Sequence, residues 1–230
     1  VYERFPNTNY GGRVFLAIKS LSNRNSRTYI QFGNISGVPE GNTITNAEMC
    51  LYYYLRRQGS GDRNVSIYHV LDDTFDGQNE GTINWNNQVC GPNFNDSIDC
   101  NLTALDTEVI GDTEDIWVCW NVTEAVKADF EDSDNRVSFA LKDDAEGSAT
   151  AQQFRFRSRN YGVAELRPVL NITYENLMPT HSTPILNSTY GTNYSDENLT
   201  CYNQSTFDPE NHKIKNIFNW YNNNYSYAVL

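Results

Sequence analysis

The stretch Ala47-Glu-Met-Cys-Leu-Tyr-Tyr-Tyr-Leu55 decides the fold class, because an apolar side chain recurs at every second position. Met49, Leu51 and Tyr53 lie on one side of this alternation. A period of two is typical of a β-strand with one buried face. A second stretch, Trp117-Val-Cys-Trp-Asn-Val-Thr123, repeats the pattern. Both stretches therefore predict half-buried strands.

The chain up to about residue 175 consists of similar short runs, separated by clusters of Gly, Asn and Asp that favour turns. A helical period is almost absent, and only Thr123–Phe130 predicts a short helix. The pattern predicts an all-β fold, a β-sandwich of the jelly-roll kind. Candidate strands span Val14–Lys19, Arg27–Phe32, Thr45–Leu55, Val65–Val70, Ile116–Val122, Arg136–Lys142, Gln153–Arg157 and Pro168–Tyr174.

The composition changes after Glu175, which divides the chain into a β-sandwich domain over 1–176, a proline-stiffened linker over 177–184 and a second module over 185–230. This module resembles immunoglobulin-like repeats of archaeal surface proteins, with Cys201 as the early-strand cysteine and Trp220 as the core tryptophan. The sequence ends before the later strands of such a sandwich. We expect either a strand from a neighbouring molecule or further polypeptide to complete it. Its candidate strands are Ile185–Tyr190, Asn198–Gln204 and Ile214–Tyr221.

The formal charge of −12, from 29 acidic and 17 basic residues, argues against a nucleic-acid partner, which would require a surplus of Lys and Arg. No apolar run approaches the roughly 20 residues that a membrane-spanning helix needs. No signal peptide precedes Val1, and the sequence has the character of a processed, mature chain.

Asparagine is unusually frequent, with 30 residues in the chain, and 11 of them begin an Asn-x-Ser/Thr sequon. Random placement would give roughly four. The excess predicts N-glycosylation and an extracellular or cell-surface location, whereas the alternative is an Asn-rich protein with many turns. The predicted acceptors are Asn34, Asn64, Asn95, Asn101, Asn121, Asn171, Asn187, Asn193, Asn198, Asn203 and Asn224.

The five cysteines have no spacing typical of a zinc site. Cys90 and Cys100 flank a turn-rich segment and are predicted to form a disulfide. The alternation places Cys50 and Cys119 on the outward faces of two strands, which favours a second disulfide between them; the alternative is two free cysteines. Cys201 is left without a partner, which points to an intermolecular contact.

Several stretches taken together resemble the DNRLRE-type domain, a jelly-roll module of secreted bacterial and archaeal proteins that is sometimes grouped with carbohydrate-binding modules. The resemblance implies a β-sandwich and covers about three quarters of the chain. It departs from the family pattern at the cysteines, the sequons and Phe75. The matching stretches are Asn7–Gly11, Arg27–Phe32, Pro39–Leu51, Thr82–Asn87, Trp117–Thr123 (with Asn121 in place of the usual Asp) and Arg167–Leu170.

No arrangement in the sequence indicates catalysis. The three histidines are scattered, and no nucleophile elbow, HExxH motif or phosphate loop occurs. We therefore expect a protein that is not an enzyme and has no required cofactor. Calcium binding is the one metal hypothesis that the sequence leaves open. Four acidic residues gather as they do in a calcium-binding loop, although the glycine of an EF-hand loop is absent: Asp129, Glu131, Asp132 and Asp134.

Two functions remain. The first is a structural or adhesive unit of an extracellular filament or surface array, in which the incomplete second module self-associates by strand sharing. The second is binding of an acidic polysaccharide. Outward tyrosines would supply platforms for sugar rings, and arginines alternating along one strand would hold carboxylates. The residues of this second hypothesis are Tyr52, Tyr54, Arg155, Arg157 and Arg159.

Overall fold

A computed structural model describes residues 1–33, 35, 37–39, 42–72, 74–75, 79–131, 136–192, 194, 196–209, 212–222 and 225–229 of the chain. The chain divides into two compact units. The first comprises residues 1–38 and 44–174, and the second comprises residues 39–43 and 175–230. Within the described residues, no helix is long and apolar enough to cross a membrane.

The predicted all-β fold is confirmed, since antiparallel sheets dominate the structure. Each strand predicted in the first unit is present, with ends shifted by up to three residues. The strand at residues 106–110 was not predicted. The elements of the first unit are β1 Phe15–Ser20, β2 Thr28–Gly33, β3 Ile44–Gln58, β4 Arg63–Val70, β5 Asp106–Ile110, β6 Ile116–Asn121, α1 Thr123–Phe130, β7 Arg136–Asp143, β8 Gln152–Arg157 and β9 Val169–Tyr174.

These strands form two sheets. In the five-stranded sheet the order is β1-β8-β3-β6, and β9 pairs with the first half of β3; in the four-stranded sheet the order is β2-β7-β4-β5. Alternating side chains of both sheets meet in one apolar core, which includes Met49 and Trp120 from the first sheet and Phe139 from the second. The Trp120 indole N–H donates to the carbonyl of Val65 at 2.8 Å, which ties β6 to β4. The unit is therefore a β-sandwich.

The outer face of the four-stranded sheet is covered by the long segment 71–105 between β4 and β5. Phe75, Val89 and the cysteines at 90 and 100 pack there against Tyr68 and Val70 of β4, and together they form a second buried apolar cluster. On the outer face of the five-stranded sheet, outward side chains such as Tyr52 and Arg157 are half-buried.

Arg27, immediately before β2, joins three segments of the first unit. Its side chain is 3% exposed, and both Nε and Nη2 donate to the carboxylate of Glu146 at 2.8 Å. Its Nη1 donates to the side-chain oxygen of Gln88 at 3.2 Å and to the carbonyl of Gly91 at 3.0 Å. The guanidinium also lies 4.5 Å from the ring centroid of Trp85. Its charge is thus fully paired inside the protein.

The opening turn of the chain contacts the loop at residues 79–83. The Asn9 side-chain amide donates to the carbonyls of Glu80 and Ile83, each at 2.7 Å. Gly11 approaches the same loop so closely that a Cβ added to it would overlap the Glu80 carbonyl. Residue 11 therefore has to be glycine, which gives a physical reason for the Asn-x-Asn-Tyr-Gly turn at residues 7–11.

In the second unit the described strands form two separate two-stranded sheets. The strand at 180–188 begins inside the predicted linker, because residues 180–182 already pair with residues 204–207. Pro184 is tolerated there because it lies at a register shift between Ser182 and Ile185. Residues 214–218 are not in a strand, contrary to the predicted strand over 214–221. The elements are β10 Thr180–Ser188, β11 Leu199–Phe207, β12 Asn219–Asn222 and β13 Tyr225–Val229.

The immunoglobulin-like character of the second unit stays a prediction, as do its boundaries and those of the linker. The described strands pair β10 with β11 and β12 with β13. Large apolar side chains of β10 and β11 are exposed, among them Leu186 and Phe207.

Candidate functional site

Both predicted disulfides are present. Cys50 and Cys119 lie directly opposite each other on β3 and β6, with Cα atoms 4.1 Å apart. Cys90 and Cys100 close a ten-residue separation within the covering segment. Cys201 is free and half-buried on β11. The alternation along β3 and β6 therefore predicted the pairing correctly.

The outer face of the five-stranded sheet carries both predicted tyrosines and two of the three predicted arginines. Phe156 of β8 pairs with Tyr53 of β3, and both side chains are buried. Their neighbours along each strand point to the opposite side of the sheet. These outward side chains are Tyr52, Tyr54, Arg155 and Arg157, and all four are half-buried.

Arg157 lies between two aromatic rings. Its guanidinium carbon is 3.6 Å from the ring centroid of Tyr54 and 3.9 Å from that of Tyr161. Its Nε is buried and has no hydrogen-bond partner among the described residues. Stacking between rings fixes the plane of the guanidinium and leaves its edge as a fork of donors, the geometry that matches a carboxylate.

Arg155 lies two residues before Arg157, on the same face of β8, and its environment is similar. Its guanidinium carbon lies 4.2 Å from the ring centroid of Phe15 on β1, and that of Arg13 lies 5.3 Å from the same centroid. The Nε of Arg155 is also buried without a partner in the described chain. No ion pair joins either arginine to a described carboxylate. We call the following group the arginine–aromatic face: Arg13, Phe15, Tyr54, Arg155, Arg157 and Tyr161.

Arg159 does not belong to this face. The strand ends at Arg157, and a turn closed by the Tyr161 N–H and the Ser158 carbonyl redirects the chain. The Arg159 side chain is exposed and forms an ion pair with Glu80. The sequence predicted three guanidinium groups on one face. β8 supplies only two of them, Arg155 and Arg157, because the strand ends before Arg159.

A cleft of about 980 Å³ adjoins the arginine–aromatic face where the edge strands β1 and β2 of the two sheets approach each other. This volume lies at the upper end of the range for small-ligand sites. The lining includes aromatic side chains of the opening segment, such as Tyr10. Among the described residues of the lining, Glu80 is the one acidic residue, whereas the basic ones are Arg13, Lys19, Arg27, Arg136, Arg155, Arg159 and Arg167.

Lys19 reports on the electrostatics of this cleft. Burial lowers the pKa of its ammonium, and the positive charges of Arg24 and Arg4 lower it further. Its side chain also lies over the ring of Tyr2, 5.7 Å from the centroid. Arg27 and Arg159 are paired with Glu146 and Glu80, and the remaining basic side chains of the lining, within a chain of net charge −12, favour an anionic ligand at this site.

Four residues at or beside the site were not predicted: Arg13, Phe15, Tyr161 and Trp117. The alternation did contain the signal for Trp117, because it predicted Val118 and Trp120 as inward and so left Trp117 outward. Arg13, Phe15 and Tyr161 lie outside the two predicted strands on which the polysaccharide hypothesis was based, Thr45–Leu55 and Gln153–Arg157. Only the folded chain brings them next to β8.

The described residues contain no cluster of three or more His, Cys, Asp or Glu side chains that could hold a metal ion. Asp129, one of the acidic residues considered for calcium, instead accepts a hydrogen bond from His69 Nε2 at 2.9 Å. Asp132 and Asp134 lie outside the described residues, so the calcium hypothesis stays open.

Eight of the predicted glycosylation acceptors lie within the described chain, and all eight are exposed. In two of their sequons, however, the hydroxyl residue is buried. Ser66 is buried against Thr107, and Thr123 is buried and accepts a hydrogen bond from the Ala47 N–H. The three acceptors outside the described residues are Asn34, Asn193 and Asn224.

Occupancy of the sequons stays a prediction, with a direct test. We expect the intact mass of material purified from its native source to fall after enzymatic release of N-glycans. Peptide mapping should locate the loss at exposed acceptors such as Asn101 and Asn171, whose sequon hydroxyls are also exposed. A mass that equals the sequence mass before treatment would contradict the prediction.

The sequence matches the profile of carbohydrate-binding module family 96 over residues 1–174, which is the whole of the first unit. No curated protein matches the sequence. Carbohydrate-binding modules are non-catalytic, in agreement with the expectation of a protein that is not an enzyme. The match covers about three quarters of the chain, and the chain accordingly belongs to carbohydrate-binding module family 96.

Proposed function

We propose that the first unit binds an acidic polysaccharide, with the arginine–aromatic face and the adjoining cleft as its binding site. The observation that carries this proposal is Arg157, whose guanidinium is stacked between Tyr54 and Tyr161 and has no described carboxylate partner. Membership of a carbohydrate-binding family supports a sugar ligand. The arginines narrow that ligand to one that carries carboxylates or comparable anionic groups.

The arrangement divides recognition between two kinds of contact. The rings of Phe15, Tyr54 and Tyr161 offer apolar surface to the C–H faces of sugar rings, while the guanidinium edges offer paired donors to carboxylates. The floor of the site is a paired sheet, so little conformational entropy is lost when the ligand binds. The filament hypothesis has no comparable support from the family match, and it stays a prediction based on the sequence of the second unit.

Replacing Arg157 by glutamine should lower the affinity for polygalacturonate or alginate by about ten- to a hundredfold. The estimate corresponds to the loss of charge-assisted hydrogen bonds worth about 1.5–3 kcal/mol. Isothermal titration calorimetry or affinity electrophoresis with a size-defined polymer would measure it. Binding of the unaltered protein should also weaken between 50 and 200 mM salt, because part of the attraction is screened.

The matched control for this experiment is Arg57→Gln, which removes the same charge from an exposed position near the end of β3 that is not one of the residues of the arginine–aromatic face. It should bind as the unaltered protein does. A neutral polymer such as mannan should bind more weakly than the acidic polymers. The proposal would be contradicted if Arg157→Gln and Arg57→Gln bound equally well, or if the unaltered protein bound no acidic polymer.

A further inference from the structure

Trp117 is an aromatic side chain that lies outside the apolar core. Its neighbours on β6, Val118 and Trp120, are buried in the core, whereas Trp117 is 40% exposed on the outer face of the same sheet. Its ring contacts Tyr52 edge-on, with centroids 5.5 Å apart, and the two residues are directly opposite in the strand pairing. An exposed tryptophan held against a tyrosine on an open sheet face is the kind of surface that stacks on a sugar ring.

This end of the sheet differs chemically from the arginine–aromatic face. The disulfide between Cys50 and Cys119 lies on the outward side next to Tyr52 and Trp117 and carries no charge. Val169, opposite Cys50 on β9, adds an exposed apolar side chain. The strand pairing places Arg157 of β8 on the other side of Tyr52, so the charge nearest to the pair belongs to the arginine–aromatic face. Trp117, the disulfide and Val169 themselves offer no charged donor to a carboxylate, so this end suits an uncharged sugar ring.

The two ends lie on one line across the sheet. Phe15 of β1 pairs with Arg157 of β8, and Tyr52 of β3 pairs with Trp117 of β6. Since the strands follow the order β1-β8-β3-β6, the line from Phe15 to Trp117 crosses three interstrand spacings, or roughly 14 Å. No single sugar ring spans that distance. A chain of sugars that runs across the strands can contact both ends.

We infer that Trp117 and Tyr52 form a second, uncharged subsite of the same binding face, and that the preferred ligand is a polysaccharide that contains both uronates and uncharged sugars. The inference rests on the proposed function and deepens it. The arginine–aromatic face takes the carboxylates, and the Trp117–Tyr52 pair takes a neutral ring further along the chain. Trp117 is thus a specificity-determining residue.

The test compares two sets of oligosaccharides of equal length, one from hyaluronan, in which uronates alternate with N-acetylated sugars, and one from polygalacturonate, which contains uronates only. Trp117→Ala should lower the affinity for the hyaluronan set by roughly three- to tenfold. It should leave the affinity for the polygalacturonate set within about twofold. Trp117→Phe should retain most of the affinity for the mixed ligand, and Arg157→Gln should weaken both sets.

Tyr190→Ala is the matched aromatic control, because this tyrosine is 81% exposed and belongs to the second unit. Thermal unfolding of each variant would confirm that the fold is unchanged. If the unaltered protein binds both sets and Trp117→Ala changes neither, or weakens both equally, the neutral subsite is overturned while the proposed function stands. If the unaltered protein binds neither set, the proposed function fails and the inference fails with it.

Discussion

Replacing Arg27 by alanine should lower the free energy of unfolding of the first unit by about 3–5 kcal/mol, the usual cost of removing one member of a buried ion pair. The substitution leaves the carboxylate of Glu146, which is only 15% exposed, without its two donors. It also removes a donor from the Gly91 carbonyl and the stacked guanidinium from Trp85. Denaturation in urea, followed by tryptophan fluorescence, would measure the change.

The loss of stability should come from breaking the ion pair between Arg27 and Glu146 rather than from the loss of one arginine as such. Arg57→Ala, at an exposed position, should change the unfolding free energy by no more than about 0.5 kcal/mol. The double variant Arg27→Met with Glu146→Leu should recover a large part of the loss, because no charge is then left buried and unpaired. Equal stability of Arg27→Ala and Arg57→Ala would show that the buried network contributes little.

Removing the disulfide between Cys50 and Cys119 should cost about 4 kcal/mol. The two cysteines are 69 residues apart, and a bond that closes so long a loop restricts the unfolded chain strongly in the loop-entropy account. The double variant Cys50→Ala with Cys119→Ala tests this by equilibrium unfolding. Each single variant should lose as much as the double variant, because either substitution removes the whole bond.

The other disulfide provides the comparison. Cys90 and Cys100 are only 10 residues apart, so the same loop-entropy account gives about 2.7 kcal/mol for their removal. Refolding in the presence of a reductant would separate the contribution of the unfolded chain from packing effects at the buried sulfurs. If opening the long loop proved no more costly than opening the short one, loop closure would not be the source of the stability.

The sequence predicted those parts of the fold in which a strand's own pattern matches its environment. β3 and β6 show a clear alternation because one face of each is buried in the core, and the same alternation predicted the cysteine pair. β5 was missed because it is an edge strand. Of its five residues only Ile110 is fully buried, so the side chains of β5 show no clear alternation that would predict a strand. The strand forms because β4 offers it a pairing edge.

The binding site was predicted only in part for a related reason. Tyr52, Tyr54, Arg155 and Arg157 could be assigned to outward faces because they alternate with buried residues. Tyr161 lies in a turn after β8, and Arg13 lies just before β1, so no periodicity connects them to the site. Arg159 continues the alternation in the sequence, but the strand has already ended. Strand ends and loop contacts depend on tertiary structure, which a single sequence pattern does not contain.

The segment 71–105 has a consequence for how such a unit can act on polymers. Described residues of this segment cover the outer face of the four-stranded sheet. Under the proposed function, one copy of the unit therefore holds one strand of polymer through the face of the other sheet. Cross-linking would need at least two copies held together, and their combined avidity would then be set by the spacing between them.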